Sequence, residues 1–321
     1  MTERNVLLLH HENTHPALRR ELQARGLELR QTQCWQDADE HTLGAMIWFY
    51  EALRHPGQIW YYRRQIAKHG VPLLAWNQDA PHYLNRASWR LDWLDRARLL
   101  DLYATHTLID TQRQFAEMQI YLANAADSAK YHATDDPDGL FAALRDADAY
   151  DYDVCFLGAM DGNRYKEMRA RQEFFGALGE RLNARGIRFL FREASGLSAA
   201  QQIALFRQSR INLNYGASCE YQAPVASGLP ERCYGLPACG AFLLCDKRSH
   251  AQDDFTPGLN WAEFDGLDDC VAKIDYWLAD FAAARDLAER CHRHVMSHHT
   301  YANRAQTLHE ALLRWHEAHR R

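Results

Sequence analysis

No apolar run in the 321-residue sequence approaches the roughly 18 residues a membrane-spanning helix needs, so no span is expected. The opening stretch, MTERNVLLLHHENTH, holds only four consecutive apolar positions. That is the pattern of a buried strand rather than of a secretory leader, and the expected compartment is the cytoplasm. Basic excess is also lacking, with 37 Lys and Arg against 42 Asp and Glu and a net charge of -5. Nucleic acid is therefore not an expected partner, although a few local arginines suffice for a small anion. The eight cysteines, at 34, 155, 219, 233, 239, 245, 270 and 291, contain no C-x-x-C pair. Their scatter argues against a structural zinc site and predicts reduced, mostly structural thiols, with no metal ligands. No repeat recurs at solenoid spacing.

What is present is enough apolar material, 47% of residues, to fill two medium-sized cores. In the first half, short apolar runs at 6–9, 45–50, 72–76 and 102–109 read as strands. Helical spacing at 16–25, 58–69 and 112–121 lies between or after them. Residues 124–152 are rich in Ala, Asp and Tyr, with Asp-Pro and Asp-Gly turn formers, and read as a linker. A second series then follows. Strands are predicted at 154–157, 187–191, 211–214 and 241–245, and helices at 165–185, 199–208, 230–236, 268–279, 281–298 and 304–319. Buried strands alternating with helices predict parallel sheets covered on both faces. The expected architecture is α/β, two Rossmann-like domains at 1–150 and 151–321 facing across a cleft. Ligands of such sheets sit outside the carboxyl ends of the strands.

The richest segment is INLNYGASCEYQAPVASGLPERCYGLPACGAFLLCD, residues 211–246. A strand ends there in Asn214, Tyr215 and Gly216, and Pro230 suits the first position of a short helix. Glu231 and Arg232 fall in its first turn, where a guanidinium can take phosphate oxygens two at a time. The same pattern also fits a well-packed connection with a surface arginine. A second segment, VCFLGAMDGNR at 154–164, runs from a strand into a two-glycine turn containing Gly158, with Arg164 and Lys166 at the start of the next helix. Backbone amides of such a turn can cradle phosphate, but it is neither G-x-G-x-x-G nor a Walker sequence.

Taken in order, DVCFLG, Arg164, INLN, PERCYGLPACGAFLLCD, FTPG and HTYANR resemble the spore-maturation (CgeB-type) branch of glycosyltransferases, within the group 1 family. The resemblance covers residues 153–304 and extends more loosely to PLLAWNQD at 72–79. It implies a GT-B fold, a nucleotide-diphosphate-sugar donor on the C-terminal domain, and no obligatory metal or further cofactor. Carried over residue by residue, it places Gly158, Arg164, Asn214 and Arg232 in the donor pocket. The sequence departs from the family pattern at Gly235, where relatives carry an acidic residue that contacts the donor ribose, and at Ser227, eight residues earlier. Glu231, one helical turn back, is the available substitute.

The N-terminal domain is then expected to hold the acceptor, whether glycan, lipid-linked, protein or small molecule, together with any general base. Asp79 and His82 form the first candidate acid–base pair and His11 with Glu12 the second, since each pair follows a predicted strand. Polar residues at strand ends are also ordinary caps. Two other functions fit the same fold: a catalytically inactive nucleotide- or glycan-binding protein, which Gly235 motivates, and a nucleotide-sugar epimerase. His294 and His298 share a helix face, but with His292 and His299 they read as a helix end rather than as metal ligands. Trp60, Tyr61, Tyr62, Trp89 and Trp93 can stack on a sugar, although core or interdomain packing is their commoner use.

Overall fold

The computed structural model describes residues 4–9, 16–32, 34–77, 88–106, 115–131, 136–163, 166–216 and 228–319, without the side chains of Ser88, Lys166 and Glu167. In chain order the first elements are β1 (Arg4–Leu9), α1 (Pro16–Ala24), β2 (Leu27–Thr32), β3 (Thr42–Trp48), α2 (Phe49–Arg54) and α3 (Pro56–Ile66). They are followed by β4 (Leu73–Asn77), α4 (Ser88–Ala97), β5 (Leu100–Thr105) and β6 (Ala116–Tyr121). Next come α5 (Ser128–Tyr131), α6 (Pro137–Ala143), β7 (Tyr152–Leu157), α7 (Lys166–Asn183), β8 (Phe189–Arg192), α8 (Ala199–Arg207) and β9 (Ser209–Asn214). The chain ends with α9 (Arg232–Ala238), β10 (Leu243–Asp246), α10 (Ala251–Asp254), β11 (Ala262–Phe264), α11 (Gly266–Ala279), α12 (Phe281–His298) and α13 (Tyr301–Ala318).

Two compact units result, residues 1–124 with 301–321 and residues 125–300. The stretch expected as a linker thus belongs largely to the second unit, and the last helix belongs to the first. Its buried residues, Tyr301, Arg304, Ala305, Leu308, Ala311, Leu312 and Trp315, recur every three or four positions and cover α1 and β3. Arg304 donates to the carbonyls of Ala123 (2.9 Å) and Asn124 (3.0 Å). Leu312 fills the notch left by Gly44, where a Cβ would come within 2.7 Å of it.

In the first unit six parallel strands run in the order β2-β1-β3-β4-β5-β6. Residues 116–121, expected within a helix, form the edge strand of this sheet. Ala, Glu, Met and Gln there favour a helix locally, but pairing from Leu100↔Ala116 to Thr105↔Tyr121 decides the outcome. In the second unit five parallel strands run in the order β11-β10-β9-β7-β8. Its core is aromatic: Phe156 stacks on Phe175 at 4.1 Å and Phe174 on Tyr215 at 3.8 Å. Helix α8 begins with a capping box between Ser198 and Gln201. Helix α9 starts at Arg232 and includes Pro237, two residues later than the sequence suggested, because the Pro230 carbonyl is used in a turn to the Cys233 amide.

Candidate functional site

In the second sheet β7 is followed in the chain by β8 on one side, and the chain then crosses to β9 on the other. The strand order therefore reverses between β7 and β9, and a crevice opens outside the carboxyl ends of such a pair. The residues delivered there are Gly158 after β7, Asn214 to Gly216 at the end of β9, and Asp246 at the end of the neighbouring β10.

Gly158 is glycine because of what lies against it. A Cβ would collide with the Arg232 guanidinium and stand 2.9 Å from the Phe156 ring. The guanidinium carbon of Arg232 lies 4.7 Å from the centre of that ring, and its Nη1 donates to Asn214 Oδ1 at 3.4 Å. Arg232 has no carboxylate partner among the described residues. Burial pushes its pKa below the ordinary arginine value.

Asn214 is fully buried, and its amide can be oriented in only one way. Its Nδ2 donates to Asp246 Oδ1 at 2.8 Å, which turns Oδ1 toward Arg232, a group that only donates. Asp246 Oδ2 also accepts from the Gly216 amide at 3.0 Å. Arg248 grips the same carboxylate through Nε (3.2 Å) and Nη2 (2.9 Å), and donates to the Gly228 carbonyl. The positive φ of Gly216, 70°, suits the sharp turn after β9.

Arg171, projecting from α7, closes the arrangement. It donates to the carbonyls of Tyr215 (2.8 Å), Gly216 (2.8 Å) and Ala159 (3.0 Å), stapling the turn after β9 to the turn after β7. Burial and then the charge of Arg232 bring its pKa down to about 10. Glu193 holds the β7 turn from the other side, accepting from the amides of Met160 (2.5 Å) and Asp161 (3.2 Å). Among the described residues three guanidiniums thus stand around two carboxylates, an excess of positive charge that suits an anion.

The structure brings Gly158, Asn214, Gly216 and Arg232 together. Tyr215 contributes its carbonyl, while its ring belongs to the core stack with Phe174. Glu231 is engaged by Lys130 Nζ at 3.3 Å. Burial opposes the Lys130 charge, but the Glu231 carboxylate outweighs it and holds that pKa above the ordinary value. Gly235 has a physical reason: Tyr131 fills the space beside it, and a Cβ at 235 would meet the phenol ring at 2.5 Å. Arg164, Asp79, His82, His11 and Glu12 lie outside the described residues, as does the Lys166 side chain. Sequence reasoning missed Arg171, Asp246 and Arg248. The available signal was the carboxylate ending LLCD, a charge at the carboxyl end of a buried strand.

The histidines near the end of α12 are spent within the fold. His292 Nδ1 meets the Pro237 carbonyl at 2.9 Å, and His294 Nε2 meets the Asp254 carbonyl at 2.6 Å and His299 Nε2 at 3.1 Å. Among the described residues no group of three His, Cys, Asp or Glu is placed to hold a metal ion. The described cysteines are unpaired thiols, and burial pushes Cys155 and Cys270 up to about 12 and Cys239 to about 11.

A model of the family described as glycosyl transferase-like matches residues 140–310, more than half the chain and every member of the Arg171–Asp246–Arg248 network. No curated protein matches the sequence. Among solved structures, HepE from Anabaena in complex with UDP superposes with a TM-score of 0.61 at 12% identity, covering 97% of this chain and 100% of its own. The same protein in complex with UDP-glucose gives the same score and identity over 97% and 99%. Sucrose-phosphate synthase from Thermosynechococcus elongatus gives 0.58 at 11% identity, covering 98% and 100%. A glycosyltransferase from Rickettsia africae gives 0.56 at 10% identity, covering 98% and 99%. These likenesses show the fold, two Rossmann-like parallel-sheet domains of the GT-B type.

Proposed function

The chain belongs to the glycosyl transferase-like family, and on that premise we propose that it transfers a sugar from a nucleoside-diphosphate donor, held by the second unit, to an acceptor. The observation that carries this reading is Arg232, set at the β7/β9 crossover with a glycine cleared for its guanidinium and no carboxylate partner among the described residues. A diphosphate meets such a group through paired, charge-assisted hydrogen bonds. As the bond from sugar to diphosphate breaks, negative charge grows on the leaving group. A guanidinium already held in place stabilises that charge more in the transition state than in the ground state. Arg171 and Arg248 spend their donors on the protein and contribute through their charge. The UDP and UDP-glucose bound by HepE support a nucleotide sugar as the ligand class.

In this reading the arginines, with Lys166 and with Arg164 two residues before it in the chain, neutralise the diphosphate and no metal ion is obligatory. Chelation with EDTA therefore leaves turnover unchanged. The acceptor hydroxyl gives up its proton to a base of the first unit, either from Asp79 and His82, which follow β4 in the chain, or from His11 and Glu12, which follow β1.

A panel of nucleoside diphosphates tested by thermal shift against wild type and Arg232→Ala examines the donor site. A ligand at about 100 times its dissociation constant adds roughly 2.7 kcal/mol to stability. Stabilisation of the wild type alone is expected, and a panel that moves neither protein sinks the reading. One observation favours a second function, nucleotide binding without turnover: Tyr131 fills the space beside Gly235, the position at which the family resemblance implies a ribose-binding carboxylate. Diphosphate released from UDP-glucose by wild type, and lost in variants at 11, 12, 79 and 82, separates turnover from binding.

A further inference from the structure

Seven large apolar side chains stand exposed among the described residues, and five of them, Tyr50, Trp60, Tyr61, Trp89 and Trp93, belong to α2, α3 and α4 of the first unit. Their exposure runs from 37% for Trp93 to 61% for Trp89, whereas the neighbouring Tyr62 is buried. Each of the three helices has already placed an apolar stripe in the core. Phe49, Ala52 and Leu53 do so from α2, Ile59 and Ile66 from α3, and Leu91 and Leu94 from α4. Among the described residues the exposed rings therefore form a second apolar face outside the core, with Tyr61 edge-on to Trp35 at 6.1 Å. The helices adjoin: α2 touches both α3 and α4, and Arg90 of α4 donates to the Leu53 carbonyl at 3.2 Å.

The rings are accompanied by arginine. The guanidinium of Arg54 lies 4.6 Å from the Tyr50 ring centre, that of Arg90 5.1 Å from Trp89, and that of Arg64 5.6 Å from Trp60. Residues 49–70 and 88–98 together hold seven Lys and Arg, of which Arg63 is paired with Asp101, against three carboxylates, Glu51 (3.5 Å from Arg54), Asp92 and Asp95, in a chain whose net charge is -5. This surface is thus locally basic on an acidic protein. Amphipathic rings paired with guanidiniums match the headgroup layer of an anionic bilayer: the ring settles at the boundary with the acyl chains and the cation meets lipid phosphate. Clustered exposed rings mark an interaction surface in general, and the charge sign selects an anionic one.

We propose that the face formed by α2, α3 and α4 is a docking surface for an anionic lipid bilayer. Trp60, Tyr61 and Trp89 enter the headgroup region, and Arg54, Arg64 and Arg90 bind lipid phosphates. Attachment is peripheral, since among the described residues no helix is long and apolar enough to cross a membrane. The inference is independent of the donor site, all of whose residues belong to the second unit.

The test is co-sedimentation of the full chain with vesicles of phosphatidylcholine alone and of phosphatidylcholine with phosphatidylglycerol, alongside tryptophan emission. Binding to the anionic vesicles is expected, with a blue shift in emission and loss in 0.5 M salt. Replacing Arg54, Arg64 and Arg90 with Gln should weaken the partition on the order of 100-fold, about fivefold for each charge. Trp60→Ala with Tyr61→Ala and Trp89→Ala should abolish the blue shift, while melting temperatures and any UDP-induced shift stay as in wild type. Absence of binding to either vesicle overturns the proposal. Equal binding to both vesicles, or binding unchanged in the arginine variants, does the same. An emission change with soluble oligosaccharide in place of vesicles would also overturn it, by identifying the face as a glycan surface.

Discussion

A methyl group at position 158 would occupy the space of the Arg232 guanidinium, so Gly158→Ala should act on binding more than on folding. On the donor-site proposal, affinity for a nucleoside diphosphate, measured by calorimetry, should fall roughly tenfold or more, the value of one displaced charge-assisted contact. Unaltered affinity would show that the guanidinium does not carry the ligand. Asp246→Asn acts through another route. It takes from Arg248, whose side chain is fully buried, the carboxylate that lies 2.9 Å from its Nη2, and breaking a buried pair from one side costs up to about 3–5 kcal/mol. Urea unfolding should report that loss with or without nucleotide. Legibility at this scale follows chain locality. Gly158, Asn214 and Arg232 stand at strand and helix ends, where apolar runs stop and a sequence shows the stop. Arg171 sits within a charged helix, and nothing along the chain says that it reaches carbonyls 44 and 45 residues away. Asp246 and Arg248 acquire their role only when β9 and β10 lie side by side.

Among the elements, strands with unbroken apolar runs were legible, whereas β2 and β11 were not expected and β6 was read as helix. Its sequence, AEMQIY, buries only Ala116 and Ile120 firmly, and an edge strand of helix formers is decided by its partner. Strands β7 and β8 are joined at their amino ends by Asp153, which accepts from Arg188 through both carboxylate oxygens and lies 3.6 Å from Arg210. Burial alone would raise the Asp153 pKa, but the Arg188 hydrogen bonds and charge outweigh it and hold the carboxyl below its ordinary 3.8. A depressed folded pKa means that the folded state binds this proton less readily than the unfolded chain. The stabilisation is therefore complete above about pH 4–5 and fades as pH falls through 3.8 and below. Asp153→Asn should lose about 1 kcal/mol near neutrality and show a flatter decline toward pH 3, with urea unfolding at several pH values as the measure. A parallel decline in both proteins would mean that the pair contributes nothing.

For the whole molecule, the two parallel sheets were legible in the alternation of strands and helices, but the assignment of α13 was not. An amphipathic stripe states that a helix needs an apolar partner and does not name it; here the partner is at the start of the chain, in the notch at Gly44. The two units have separate cores, one around Leu7, Ala45 and Phe49 and the other around Phe156, Phe174 and Phe264. Leu312→Ala empties the notch at Gly44 and should destabilise the first unit by about 2–5 kcal/mol, the usual cost of a large-to-small change in a core. On the donor-site proposal, calorimetry with a nucleoside diphosphate tells the units apart, because a ligand raises only the transition of the unit that binds it. The transition that the nucleotide leaves in place should fall in Leu312→Ala, and the one that it raises should stay within about 1 °C, as expected for independent units. If both fall together, the chain melts as one cooperative body and the last helix supports more than the sheet it covers.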